Sequence, residues 1–267
     1  MEKMATLEGI IRGADSLAVA FSGGRDSTLL AMMARRILGR DSTVAIFADT
    51  GLIPSEDRKD VVDMADLIGI RLEMVEIDPL SISGFRENPP DRCAICKREI
   101  MRRVIDRAND LGICRVADGA VADDISDYRP GHDAATKLGV IHPLLEAGVD
   151  HEDVERILRE EGIPIWNKKP TPCMATRIPT GQRITPRKTG TADNIEKLVR
   201  GMGFEYVRLR IIEESDGSLL GVLEVGDPSR AMERWEDIKK GIGELKVVID
   251  PDGYEMGSMN RLTSTRQ

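Results

Sequence analysis

Three groups of residues in this 267-residue chain have types and spacings that can do chemistry. The first is Ser22-Gly-Gly-Arg-Asp-Ser27, placed directly after one aliphatic run and at the start of a helical pattern. Two glycines let backbone N–H groups approach a phosphate closely, the helix N-terminus adds its dipole, and the serine hydroxyls donate further hydrogen bonds. The segment reads as an anion cradle, with a plain Gly-rich turn as the bland alternative. It has neither the Gly-x-x-x-x-Gly-Lys-Ser/Thr spacing of a Walker A loop nor the three-glycine dinucleotide fingerprint. A γ-phosphate hydrolase and an NAD oxidoreductase are therefore both disfavoured.

The second group is the cysteines, of which there are four. Cys93-Ala-Ile-Cys96 lies at the start of a predicted helix, so its thiols share a face. The helix N-terminus, Arg92 and Lys97 favour the thiolate, the form that binds metal or attacks. Half-buried helix cysteines and a zinc or redox pair are the competing readings. Cys173 stands in Pro170-Thr-Pro-Cys-Met-Ala-Thr-Arg-Ile-Pro179, a loop too rich in proline for a helix or a central strand. Cys114, inside the aliphatic run Ile113 to Ala117, is expected to be a small core residue. Three candidate ligands remain, and three thiolates on a 4Fe-4S cluster leave one iron open.

The third group is cationic. Arg208 and Arg210 alternate along a predicted strand and so project from one face, where guanidinium forks suit carboxylate and phosphate; an exposed charged strand face is the alternative. Lys168, Lys169, Arg183, Arg187 and Lys188 are read first as solvated charge and second as the border of an anionic substrate. His132, His142 and His151 lack ligand spacing and are expected to be surface or local hydrogen-bonding groups.

Positioning these residues requires a scaffold, and the pattern supplies one. Leu17 to Phe21, Thr43 to Phe47, Arg71 to Ile77 and Ile113 to Ala117 read as strands. Asp26 to Leu38, Pro54 to Ile68 and Arg92 to Leu111 between them show helical spacing. That alternation predicts an α/β fold, a doubly wound parallel sheet with helices on both faces. After a polar, proline-bearing stretch come a helix near Ala192 to Met202, strands near Tyr206 to Ile212 and Leu219 to Val225, a helix near Pro228 to Lys240 and a strand at Leu245 to Ile249. The expected organisation is a nucleotide domain at 1–165, a connector at 166–188 carrying Cys173, and a smaller α+β substrate and oligomerisation domain at 189–267.

Composition narrows the function classes. Apolar residues make up 41% and charged residues 31%, a globular balance, and with aromatics at 3% the core must be aliphatic and Met-rich. Lys and Arg number 38 against 46 Asp and Glu, a formal charge of -8, which argues against whole-surface binding to nucleic acid. No uncharged run approaches the roughly 20 apolar residues of a membrane span. The start Met1-Glu-Lys-Met-Ala-Thr-Leu-Glu8 does not resemble a signal peptide, and a cytoplasmic location is expected.

The loop Ser22 to Ser27 resembles the PP-loop of the ATP pyrophosphatase superfamily, which implies adenylylation of an acceptor oxygen with loss of pyrophosphate. A longer series of blocks is similar to the LarE family of ATP-dependent sulfur transferases, which make the nickel-pincer nucleotide cofactor of lactate racemase. The series comprises Ser22 to Ser27, Asn88-Pro-Pro-Asp-Arg-Cys-Ala-Ile-Cys-Lys97, Asp118-Gly119 with Asp123-Asp124, Asp127-Tyr-Arg-Pro-Gly131, Pro172-Cys173 with Arg177-Ile-Pro179 and Gly181, Arg208 with Arg210, and Gly253-Tyr254 with Gly257-Ser-Met-Asn260. The family commonly has Thr-Asn where Ala120-Val121 stands, Tyr at Thr180 and Ser at Thr176. The resemblance to its three-cysteine branch implies a 4Fe-4S cluster on Cys93, Cys96 and Cys173. It implies ATP and Mg²⁺ at Ser22, Gly23, Gly24, Asp26, Ser27, Ala48, Arg92, Lys97 and Gly119. A small anionic pyridinium mononucleotide would be bound by Arg177, Arg208 and Arg210, with Glu196 and Asp227 close by, in a homo-oligomer. A tRNA thiolase, a sacrificial-cysteine sulfur donor and a non-enzymatic iron-sulfur or zinc carrier are the competing readings.

Overall fold

The computed structural model describes residues 2–125, 135–169 and 171–254. Asp127 to Gly131, His132, Pro170 and Gly257 to Asn260 lie outside the described residues. The chain divides into two compact units, one of Met1–Pro79 and Cys93–Thr171, the other of Leu80–Arg92 and Pro172–Gln267. The division at 171/172 falls inside the expected connector, and the short stretch before the cysteine pair belongs with the C-terminal residues.

The first unit runs α1 (Glu2–Arg12), β1 (Leu17–Ala20), α2 (Arg25–Leu38), β2 (Thr43–Asp49), α3 (Ser55–Ile68), β3 (Arg71–Glu76), α4 (Arg92–Asp110), β4 (Val116–Ala117), α5 (Pro143–Glu146) and α6 (His151–Glu160). Its sheet is wholly parallel in the order β3-β2-β1-β4, flanked by helices, as the alternating pattern requires. β2 is buried along its whole length, which is why it reads as a continuous apolar run. The core joins Leu17, Val19 and Phe21 to Leu29, Leu30 and Met33 of α2, with Leu7 and Ile11 of α1 and Leu158 of α6 packed around them. The strand order reverses beside β1. In such sheets ligands bind at the carboxyl ends of the strands at that point, here the ends of β1 and β4.

The second unit holds β5 (Arg208–Glu213), β6 (Leu219–Glu224) and β7 (Lys246–Ile249), with β5 and β6 antiparallel and β6 and β7 parallel. α7 (Pro186–Gly201) packs Ala192, Ile195 and Val199 into a core with Leu209, Ile211, Leu223 and Met174. α7 begins six residues before the expected start, because Thr185 caps it and Pro186 occupies the first turn. The helix expected from Pro228 to Lys240 is two, α8 (Pro228–Glu233) and α9 (Trp235–Ile242), parted at Arg234, whose guanidinium donates to Met202 O at 3.0 Å.

One further expectation fails. β4 is only two residues long, and Cys114 is exposed in the stretch before it, not in the core, because the backbone from Gly112 turns only Ile113 inward before the strand starts. His142, expected to be a surface or local hydrogen-bonding group, is buried and hydrogen-bonded to Thr136, Glu146 and Asp118.

Candidate functional site

The phosphate loop follows β1 and is built on its glycines. Gly23 has φ +69°, and a Cβ there would stand 2.8 Å from the Val61 backbone, so only glycine lets the loop lie against α3. Gly24 is the N-cap of α2 and brings no side-chain cap, which leaves the first-turn N–H groups for an anion. The two serines hold the loop's shape: Ser22 and Ser27 hydroxyls lie 3.0 Å apart, Ser22 N donates to Ser27 Oγ at 3.2 Å, and Gly24 N donates to Ser22 Oγ at 3.3 Å. From the neighbouring strand end, Gly119 closes on the same turn, where a Cβ would meet Ser27 N at 2.7 Å. The loop after β1 and the residue after β4 thus form one surface, at the place the strand order predicts.

Asp26 faces inward from this loop. Burial is the main influence on its carboxyl and raises its pKa above the ordinary carboxylate value, while His151, with Nδ1 3.5 Å from Asp26 Oδ1, and Arg25 pull the other way. His151 opens α6 and donates its N–H to Asp123 Oδ2 at 2.8 Å; nothing local in the sequence places it beside the phosphate loop. Ala48 is the last apolar residue of the buried strand β2. Next to it Asp49 accepts from Gly51 N at 3.0 Å and pairs with Arg58.

The cysteine helix is tied to this surface. Lys97, one residue after Cys96, reaches Asp118 Oδ2 at 3.2 Å, and His142 Nδ1–H donates to Asp118 Oδ1 at 2.7 Å. Burial opposes ionisation of Asp118, yet the His142 hydrogen bond and the Lys97 charge outweigh it and bring the pKa down to about 2. Asp118 is therefore a fixed anion between the helix bearing Cys93 and Cys96 and the turn bearing Gly119. None of the four cysteines is in a disulfide; Cys93 is exposed and Cys96 half-buried. Among the described residues, no group of three or more His, Cys, Asp or Glu side chains is gathered to hold a metal ion.

In the second unit, Cys173 precedes a 3-10 turn, Met174–Arg177, that two buried arginines pin. Arg177, fully buried, forms a two-pronged pair with Glu196 at 2.7 and 2.8 Å, and its Nη1 donates to Pro172 O at 2.8 Å. Arg210 forms a similar pair with Glu224, both contacts 3.0 Å, and donates from Nη1 to Thr176 O at 2.9 Å. Arg208 differs. Its guanidinium lies over the Tyr254 ring, 5.5 Å from the centroid, with Tyr206 stacked beyond, and donates to Val207 O at 2.9 Å. Burial lowers its pKa below the ordinary guanidinium value, and the charge of Arg177 adds to the effect. An incoming anion would relieve both costs.

Asp227 is exposed and caps α8, accepting from Arg230 N at 3.0 Å. Arg92 donates to Asn88 Oδ1 at 2.7 Å, and Asn88, fully buried at φ 58°, donates to the carbonyls of Ile178 and Pro179. Lys168 is paired with Asp57 and Asp60, and Lys188 with Glu213. Sequence reasoning did not single out Glu224 or a role for Asn88. The asparagine's place between Glu87 and two prolines signals an irregular turn, but the partners of both residues are distant in sequence.

Residues 7–104 match the family model described as NAD synthase. The chain is 32% identical to an uncharacterized protein of Synechocystis, across 97% of each chain. It is 31% identical to the pyridinium-3,5-bisthiocarboxylic acid mononucleotide synthase of Lactiplantibacillus plantarum, across 97% of this chain and 94% of that one. It is 27% identical to the glutamine-hydrolysing GMP synthase of Aeropyrum pernix, across 70% of this chain and 40% of that one.

Proposed function

Because the chain belongs to the LarE family of PP-loop, ATP-dependent sulfur transferases, we propose that it activates a carboxylate of a pyridinium mononucleotide and replaces its oxygen with sulfur in nickel-pincer cofactor biosynthesis. The observation that carries this reading is the loop surface itself, two glycines at which any side chain would strike backbone, beside a helix start open to phosphate.

In the first step a carboxylate oxygen attacks the α-phosphorus of ATP, the α–β anhydride bond breaks, and pyrophosphate leaves. The N–H groups at the start of α2 receive the charge that develops on the departing phosphates; Asp26 and Ser27 would help hold a Mg²⁺ ion, which would share that charge. In the second step sulfur attacks the acyl carbon, and AMP departs with the original oxygen, giving a thiocarboxylate. Adenylylation turns a poor leaving group into a good one. Of the three arginines, Arg208 is the one assigned to the anionic acceptor, since Arg177 and Arg210 already hold buried glutamates.

For the sulfur source, three thiols, Cys93, Cys96 and Cys173, have the donor chemistry of a 4Fe-4S site and would hold such a cluster, which would supply the sulfide. Lys97, through Asp118, fixes the helix that carries two of these thiols.

The test is anaerobic incubation with ATP, Mg²⁺, sulfide and the pyridinium dicarboxylate mononucleotide, following pyrophosphate, AMP and product mass. Asp26→Ala and Ser27→Ala are expected to abolish pyrophosphate release. Cys173→Ser is expected to release pyrophosphate without making thiocarboxylate. Full turnover by both loop variants would overturn the nucleotide assignment. One turnover that leaves dehydroalanine at Cys173 would replace the cluster by a sacrificial cysteine.

A further inference from the structure

The hydrogen bonds around the 3-10 turn converge on a residue that neither the phosphate loop nor the acceptor chemistry uses. Thr176 Oγ1 donates to Cys173 O at 2.7 Å and accepts from Arg177 Nη1 at 2.9 Å. Its backbone N–H donates to the same carbonyl of Cys173 at 2.9 Å. Its own carbonyl accepts from Arg210 Nη1 at 2.9 Å. Arg177 and Arg210 are immobile because each is locked to a fully buried glutamate, Glu196 and Glu224. Two buried ion pairs thus end on one half-buried threonine, and that threonine holds the main chain of Cys173.

We propose that Thr176 is the positioning residue of the Cys173 thiol, its hydroxyl linking the Arg177–Glu196 pair, and its main chain the Arg210–Glu224 pair, to the backbone that aims Cys173. A turn of four residues has no ladder of its own, so the direction of the Cα–Cβ bond at Cys173, which precedes it, is set by whatever fixes the Cys173 peptide. Here the two shortest bonds to the Cys173 carbonyl are the donors of Thr176, at 2.7 and 2.9 Å, with a longer one at 3.5 Å from Arg177 Nη1. The contribution to catalysis rests on the reading that Cys173 takes part in sulfur transfer; the positioning itself does not.

The arginines are poor test sites, because removing either takes a two-pronged partner from a fully buried glutamate and endangers the fold. Thr176 is not. Thr176→Val keeps the shape and removes the hydroxyl; Thr176→Ser keeps the hydroxyl and removes the methyl. Alkylation of each cysteine by iodoacetamide after iron chelation, read by peptide mass spectrometry, gives a measure independent of turnover. In Thr176→Val the Cys173 rate is expected to rise roughly two- to tenfold, the factor that one ordinary net hydrogen bond is worth. Cys93 serves as the unchanged control. The kcat for thiocarboxylate formation should fall by a similar factor, with acceptor KM and pyrophosphate release unchanged. Thr176→Ser should match the wild type in both measurements. Wild-type alkylation of Cys173 in Thr176→Val, or the same change in Thr176→Ser, would overturn the proposal. A rise in acceptor KM alone would also overturn it, making Thr176 a substrate contact. The expected alkylation pattern in a protein whose wild type transfers no sulfur would uphold the positioning and overturn the function assigned above.

Discussion

Asp118 is ionised against its own burial, and the consequence is a pH dependence with a definite sign. Its pKa in the folded chain, about 2, lies below the ordinary 3.8. The stability it contributes is therefore complete above about pH 4 and is lost as the pH falls toward 2, on the order of 2 kcal/mol in all. Denaturant melts of the wild type and Asp118→Asn at several acidic pH values should show the gap between them closing along that interval. A gap independent of pH would mean that the carboxylate is not held by His142 and Lys97. Gly119 makes a sharper test of the nucleotide surface. A Cβ there meets Ser27 N at 2.7 Å and Ser27 Cα at 3.0 Å, both backbone, so Gly119→Ala must displace the loop. The expected cost is about 1–3 kcal/mol of stability, with weakened ATP binding measured by calorimetry.

At the scale of elements, α7 is where capping and packing meet the site, because it carries Glu196 and with it the anchor of Arg177. Thr185 accepts from Lys188 N at 3.2 Å as the N-cap. Thr185→Ala should cost about 1 kcal/mol, the ordinary worth of a capping hydroxyl. Gly190, three turns before the C-terminus of the same helix, has no atom within 4 Å of a Cβ position. Gly190→Ala should therefore stabilise by roughly 0.5–1 kcal/mol. Thermal melts of the two variants with opposite signs would confirm that α7 is limited by its own helical stability. A loss in both would point to an unseen contact at Gly190.

At the scale of the whole molecule, the chain passes between its two units at 79/80, 92/93 and 171/172, so the second unit is not a simple C-terminal appendage. Leu80–Arg92 is held there by Asn88, whose side chain donates to Ile178 and Pro179 O at 3.1 and 2.8 Å and whose carbonyl accepts from Gly181 N at 2.9 Å. Phe85 in this stretch is fully buried. A fragment ending at Thr171 should expose that phenylalanine and be cleaved by protease within 80–92, whereas the intact chain resists there. Equal resistance in both would show that the segment folds with the first unit.

The α/β class, the phosphate loop and the cysteine helix were legible in the sequence because each is local. Strand and helix periods, two glycines after an aliphatic run and a Cys-x-x-Cys at a helix start all lie within one element and its next turn. The start of α7 was equally local, in Thr185-Pro186, yet the expected start near Ala192 missed it, because the cap was not read. What only the tertiary structure decided is which charges meet. Arg177, Arg208 and Arg210 look alike in the sequence, yet two face glutamates 19 and 14 residues away and one lies over Tyr254. Asp118 becomes a fixed anion through Lys97 and His142, and Asn88 a clamp through carbonyls about 90 residues on. A buried charge is tolerated only beside its partner, and partner choice depends on packing between distant segments, to which the periodicity of any one of them is blind.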